Sequence, residues 1–164
     1  MAINSKKGYT LLELMLTVAI IGIVGGMSAP LLTQMTNFWR QTSARNTIQR
    51  DVRHSLDLMN RFIRQGQSGT VVIDAAANQP SCSRITFTSI QGQTVSFYQE
   101  GNKLHMRLSD NISTLSNSIA YIAFTYPRSD DVSLISVSLT AQSSTYRGGK
   151  KALQLSIQKV RIMN

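Results

Sequence analysis

Lys6-Lys7-Gly8-Tyr9-Thr10-Leu11-Leu12-Glu13-Leu14 decides how this chain is read, because it sets a carboxylate five residues after a glycine, at the mouth of an apolar run. The run carries no charge from Leu14 to Leu32, which is 19 residues, close to the roughly 20 that a helix needs to cross the hydrocarbon core of a bilayer. A carboxylate costs about 2.5 to 3.5 kcal/mol at the centre of a membrane helix on insertion scales, and less near its end, so an acid here points to function before structure. Glu13 needs a partner. A cut after Gly8 would create one: the new α-amine on Tyr9, in the same chain or in a neighbour.

Two ordinary readings of this N-terminus fail on particular residues. A secretory signal peptide has an apolar region of about 7 to 15 residues followed by a small-residue cleavage site. Met27-Ser28-Ala29 has the composition of such a site, but Pro30 would stand just after the cut and Glu13 sits near the start of the apolar run. A plain membrane anchor accounts for the length of the run and for lysines held on the cytoplasmic side. It accounts for neither Gly8 nor Glu13.

Lys6 to Glu13 resembles the processing site of type IV prepilins and of the pseudopilins of type II secretion: a short basic leader, Gly, an aromatic residue, Thr-Leu-Leu-Glu, then an apolar helix. The resemblance is close from Lys6 to about Pro30 and looser along the basic helix that follows. It implies cleavage by a prepilin peptidase between Gly8 and Tyr9, N-methylation of Tyr9, and assembly through Glu13, which would neutralise the amine of an adjacent subunit. The family usually has Phe at the position of Tyr9, a departure that bears on methylation more than on cleavage. The implied partners are the peptidase, other pilin or pseudopilin subunits and an inner-membrane assembly platform. The implied location is the bacterial inner membrane, single-pass with a cytoplasmic leader, and afterwards a pilus or pseudopilus. No cofactor and no enzymatic activity are implied.

Gly22, Gly25, Gly26 and Pro30 weaken this helix locally. Glycine costs about 1 kcal/mol against alanine in a helix interior, and proline removes a backbone hydrogen bond. Gly22 and Gly26 also have the GxxxG spacing that lets apolar helices approach closely. By the resemblance, Gly22 and Pro30 bracket the stretch that loses helical structure when pilins enter some filaments. A kinked membrane helix is the alternative.

After Pro30 the apolar pattern becomes periodic. Leu31, Met35 and Phe38, then Ile48, Val52, Leu56, Met59 and Ile63, recur at steps of three and four, the mark of an amphipathic helix. Thr42 and Arg45 interrupt the stripe, so its first part is expected to face other subunits and its second part a domain. Arg53, Asp57 and Arg61 stand four apart and allow i,i+4 pairs of about 0.2 to 0.5 kcal/mol each. A continuous helix from Tyr9 to Gln65 would extend about 85 Å at 1.5 Å per residue.

Gly66-Gln67-Ser68-Gly69 reads as the helix stop. Beyond it, alternating β-formers predict strands over Val71–Ile73, Arg84–Ser89, Thr94–Gln99, Lys103–Ser109, Ile119–Tyr126, Leu134–Ala141 and Ala152–Ile162. Asn78-Gln79-Pro80-Ser81 reads as a loop, Pro127-Arg128-Ser129-Asp130-Asp131 as a turn, and Gln142–Lys151 as a polar loop. The fold class is therefore α+β: a long N-terminal helix, half transmembrane and half amphipathic, packed on an antiparallel β-sheet domain. In segments, 1–8 is leader, 9–32 the membrane and assembly half of the helix, 33–65 its amphipathic half, and 66–164 the β-rich domain.

Catalysis finds no footing. His54 lies on the polar side of the helix and His105 alternates away from Leu104, Met106 and Leu108, so both are expected in solvent. Cys82, the only cysteine, allows no intrachain disulfide and no metal site by spacing, whereas many major pilins close a loop with one. Gly148-Gly149-Lys150-Lys151 lacks the spacing that cradles phosphates and reads as a turn. Asp130-Asp131 offers few of the six to eight oxygens that calcium takes. The formal charge of +9 favours anionic partners. Nucleic acid is one of them, although apart from Lys150-Lys151 the basic residues form no dense run. Within the family, Arg50-Asp51-Val52-Arg53, Arg61-Phe62-Ile63-Arg64 and the C-terminal Val160-Arg161-Ile162-Met163-Asn164 resemble the larger minor subunits of the J type. A major pilin, or a tip subunit that binds DNA during uptake, is the alternative.

Overall fold

Capping and charge fix both ends of the first element, α1 (Leu11–Arg64, 54 residues), in a computed structural model that describes residues 8–144 and 151–163. Lys6, Lys7 and the Gly148-Gly149-Lys150 part of the expected turn lie outside the described residues. Thr10 precedes the helix, Glu13 lies in its first turn, and Arg61 and Arg64 lie in its last, so each charge complements the helix dipole at its own end. At the C-terminal end the Gln65 and Gly66 amides donate to the Phe62 and Ile63 carbonyls, both at 3.0 Å, and the Met163 amide donates to the Arg64 carbonyl at 3.3 Å. Carbonyls that a helix end would otherwise leave unpaired are thereby satisfied.

The helix continues through Gly22, Gly25, Gly26 and Pro30. Hydroxyls flank the proline: Ser28 Oγ donates to the Val24 carbonyl and Thr33 Oγ1 to the Ala29 carbonyl, each at 3.0 Å. Two compact units meet inside α1. The first ends at Arg40 and the second is Gln41–Asn164.

In the second unit, Gln67 leads through a short 3₁₀ turn, Ser68–Thr70, into eight strands. They are β1 (Val72–Asp74), β2 (Arg84–Thr88), β3 (Thr94–Glu100), β4 (Lys103–Leu108), β5 (Asn111–Ser116), β6 (Ile119–Thr125), β7 (Leu134–Ser144) and β8 (Lys151–Arg161). The sheet is double rather than single. Strands β1 to β5 form an antiparallel meander and β6 to β8 a second antiparallel sheet, each in sequence order.

Strand β5 has no counterpart in the sequence reading, for a local reason. Leu104 pairs with Ser116 but His105 pairs with Thr114, so Leu115 is the extra residue of a bulge. A bulge breaks the period of two by which strands are recognised: Ile112 is exposed while Leu115 packs against the core. A second correction concerns β7, which runs to Ser144 and pairs Gln142, Ser143 and Ser144 with β8, where a loop is expected from Gln142.

The core joins the second part of α1 to both sheets. Ile48, Val52, Met59 and Ile63 are buried against Ile85, Phe87, Phe97, Ile122, Phe124 and Leu139, with Leu56 half-buried beside them. Phe97 is fully buried, edge-on to Phe62 at 6.3 Å and tilted to Phe87 at 6.4 Å between ring centres. Gln99 is one of the links between the two sheets. Gln99 is 3% exposed; its amide nitrogen donates to the Gly101 and Ala120 carbonyls at 2.7 and 3.3 Å, and its oxygen accepts from the Ile122 amide at 3.0 Å. Burying a primary amide is tolerable because its partners are supplied. At the helix end, the Ile90 amide donates to the Gln65 carbonyl and the Gln67 amide to the Thr88 carbonyl, at 3.0 and 2.9 Å.

Candidate N-terminal processing and assembly site

The peptide linking Gly8 to Tyr9 lies in exposed, non-helical backbone, and the helix starts two residues later. Tyr9 is 85% exposed. A protease needs such backbone, since a scissile bond within a hydrogen-bonded helix is inaccessible. A Cβ added at Gly8 would meet nothing within 4 Å. Among the described residues nothing in the fold demands glycine there.

Thr10 determines where the helix begins. Its Oγ1 accepts from the Glu13 amide at 3.3 Å and its carbonyl accepts from the Leu14 amide at 3.2 Å. Thr10-Leu11-Leu12-Glu13 is the sequence of a capping box, Ser or Thr followed three residues later by Glu or Gln. Glu13 consequently occupies an N-terminal position where its charge also suits the helix dipole. This role of Thr10 is additional to the processing motif, and its four-residue signature is legible in the sequence.

Downstream of Glu13, every large apolar residue from Leu14 to Trp39 is exposed, Leu14 at 61% and Trp39 at 75%. Helix α1 is the one described helix long and apolar enough to cross a membrane, by length and composition. Gly22, Gly26 and Pro30 recur every four residues along it, and a Cβ at Gly22, Gly25 or Gly26 would meet nothing within 4 Å. The stretch between Gly22 and Pro30 is helical.

Other candidates resolve differently. His54 is exposed, as expected. His105 is buried, against expectation. The unforeseen β5 is the reason: Tyr98 of β3 stacks on the imidazole at 5.4 Å from one side, and Thr114 of β5 lies on the other with its hydroxyl 3.2 Å from Nδ1. Asp130 is held by Arg128 through two contacts at 3.1 and 2.9 Å. Asp131 accepts from the Ser133 hydroxyl and, at 3.0 Å, from the Ser133 amide, and these bonds, the hydroxyl's first, keep its carboxyl below the usual carboxylate range. Both acids organise the turn. Among the described residues, no group of three or more His, Cys, Asp or Glu is placed to hold a metal ion. Cys82, half-buried with φ +66°, offers its carbonyl to the Phe124 amide at 2.8 Å. An open hollow of about 950 Å³ on the outer face of the first sheet is lined by Arg84, Ser96, Tyr98 and Arg107. Asp74 engages Arg84 in two contacts at 2.6 and 2.5 Å, so that arginine is already committed.

Residues 3–29 match the family model described as the prokaryotic N-terminal methylation motif. No curated protein matches the chain. The matched segment contains Gly8, Tyr9, Glu13, Gly22 and Gly26, and is a short N-terminal part of the chain.

Proposed function

We propose that this chain is a structural subunit, minor rather than major, of a type IV pilus or type II secretion pseudopilus. The observation that carries the reading is the order of features at the start of α1: an exposed Gly8–Tyr9 peptide, a Thr10 cap, and Glu13 heading an uncharged run whose apolar side chains are exposed among the described residues. Cleavage leaves a cationic amine on Tyr9. Glu13 then neutralises the amine of an adjacent subunit as the helix leaves lipid for a bundle of helices. The pairing sets axial register, because an isolated charge in apolar surroundings is costly while a paired and hydrogen-bonded one is tolerated. Gly22 and Pro30 bracket the segment that yields when the helix is repacked. The minor assignment is supported by the basic second half of the helix and by a single cysteine where many major pilins have a pair.

Expression with a prepilin peptidase, followed by N-terminal sequencing, should yield a mature chain beginning at Tyr9. A chain beginning at Met1 or Leu31 would end the proposal. Two substitutions separate the counter-charge from the cap. Glu13→Gln keeps a capping-box residue but has no charge, so it should be processed normally and fail to assemble, as should Glu13→Ala. Filaments formed by Glu13→Gln in normal yield would show that assembly does not need the charge at this position.

A further inference from the structure

Opposite the buried stripe, the second part of α1 carries an ordered row of charge. At 100° per residue, Arg50, Arg53, His54, Asp57, Arg61 and Arg64 fall on the side facing away from Ile48, Val52, Met59 and Ile63, and all six are exposed. The expected i,i+4 pairs do not form. Among the described residues, the ion pairs are Arg84–Asp74, His105–Glu100, Arg128–Asp130 and Arg161–Asp131. Four arginines of the row therefore have no acidic partner within the described chain, and Asp57 has no basic one. Two shallow hollows meet at Asp57, one of about 370 Å³ lined by Arg50, Arg53 and His54, the other of about 490 Å³ lined by Arg61, Arg64 and Met163.

The row has a definite pattern. Two cations, one anion and two cations are separated by three, four, four and three residues, and this order is the same from either end. We propose that this face docks an acidic helical segment of a different polypeptide, bearing paired carboxylates on either side of a cation. Because the pattern is palindromic, a partner helix satisfies it in either direction. A second copy of this chain is disfavoured, since matching faces would set arginine against arginine, and three of the chain's eight acids already serve Arg84, Arg128 and Arg161. A nucleic acid backbone is also disfavoured. Its negative charge is uniform, and Asp57 opposes it at the centre of the row. The inference rests on the subunit reading only in taking the partner to be a neighbouring subunit.

The test uses the full chain in detergent micelles. Its probes are a synthetic helical peptide with two Glu, one Lys and two Glu at the same three-four-four-three spacing, an isomer with the charges shuffled, and a 20-base-pair duplex. Exposed ion pairs contribute little singly, so Arg50→Gln with Arg61→Gln should weaken the patterned peptide about three- to tenfold. Raising salt from 20 to 150 mM should weaken it further. Asp57→Lys should lower affinity for the patterned peptide and raise it for the duplex. The proposal is overturned if the patterned peptide does not bind, if the shuffled isomer binds equally well, if the duplex binds more tightly to the unaltered chain, or if the double variant binds unchanged. None of these readouts depends on cleavage at Gly8 or on Glu13, so the proposal and the subunit reading fail separately.

Discussion

Residues 8–40 and 41–164 share one helix and answer the same physical question in opposite ways. In the first region apolar side chains stay exposed from Leu11 to Trp39, and in the second Ile48, Val52, Met59 and Ile63 are buried at 2% exposure or less. Glycines differ between them in part. Gly8, Gly22, Gly25 and Gly26 have open space around them, as do Gly69, Gly92 and Gly101 of the second region, but there Gly66 is pressed by Phe87, and Gly92 and Gly101 sit at φ +76° and +57°. Burial of apolar surface stabilises by roughly 25 cal/mol per Å², and a region that leaves such surface uncovered is built to cover it elsewhere. The core stripe of the second region is explained by packing within the domain, whereas in the first region the Thr10 cap is a local feature and the apolar side chains are exposed among the described residues.

The largest effect that would break this contrast lies in the core. Phe97→Ala removes a fully buried ring in contact with Phe62 and Phe87 and should cost about 3–5 kcal/mol of folding stability. Leu16→Ala, at a 59% exposed position, should leave the melting of the β-rich domain within about 0.5 kcal/mol of the unaltered chain. Chemical denaturation in micelles, followed by the near-ultraviolet signal of the domain's tyrosines, reads both. Equal losses from the two substitutions would erase the distinction.

Glycine gives the next test. A Cβ at Gly66 would lie 2.9 Å from Phe87 Cδ2 and 3.1 Å from the Ile63 carbonyl oxygen. Gly66→Ala must therefore displace a buried ring or the end of α1, and should destabilise by about 1–3 kcal/mol. At Gly22 alanine meets no obstacle and improves helix propensity by about 1 kcal/mol. Gly22→Ala should leave domain stability unchanged and raise helicity in micelles by circular dichroism. If the Gly22 to Pro30 stretch must unwind, the same change should slow or prevent assembly.

These contrasts also explain what could be read from the sequence. The stripe Ile48, Val52, Met59 and Ile63 was legible because one helical face meets one core, and most strands were legible because one face of each is apolar. Strand β5 was not, because the bulge at Leu115 breaks its alternation. With β5 missing, the surroundings of His105 were misjudged as well. The division into two sheets is set by long-range strand pairing that no local pattern records. At the N-terminus the motif around Gly8 and Glu13 is legible in the sequence, whereas the part played by Thr10 is a hydrogen bond to the backbone of Glu13 rather than a charge.

The cap is a smaller test at the boundary of the first region. Thr10→Ala removes the acceptor for the Glu13 amide and should cost the first turn about 1 kcal/mol. Hydrogen exchange at the Glu13 amide should quicken about fivefold, while exchange at Ile63, at the core end of the same helix, should not change. A quickening at both positions would mean that the two ends of α1 melt together and that the contrast between regions is only one of exposure.

The smallest effect belongs to the second region and depends on pH. Asp74 pairs with Arg84 across β1 and β2, and the hydrogen bonds from that guanidinium hold its carboxyl below the usual carboxylate range. A carboxyl whose folded-state pKa is depressed binds its proton more readily when unfolded. Its contribution is therefore present in full above the unfolded value of about 3.9 and is lost as pH falls through the lower folded value. Both side chains are 41% exposed, so solvent screening limits the pair to about 0.2–1 kcal/mol. Asp74→Asn should lower the melting temperature slightly at pH 7, and the deficit should shrink as pH drops below 4. A deficit that stays constant down to pH 2 would mean that Asp74 contributes through strand geometry and not through its charge.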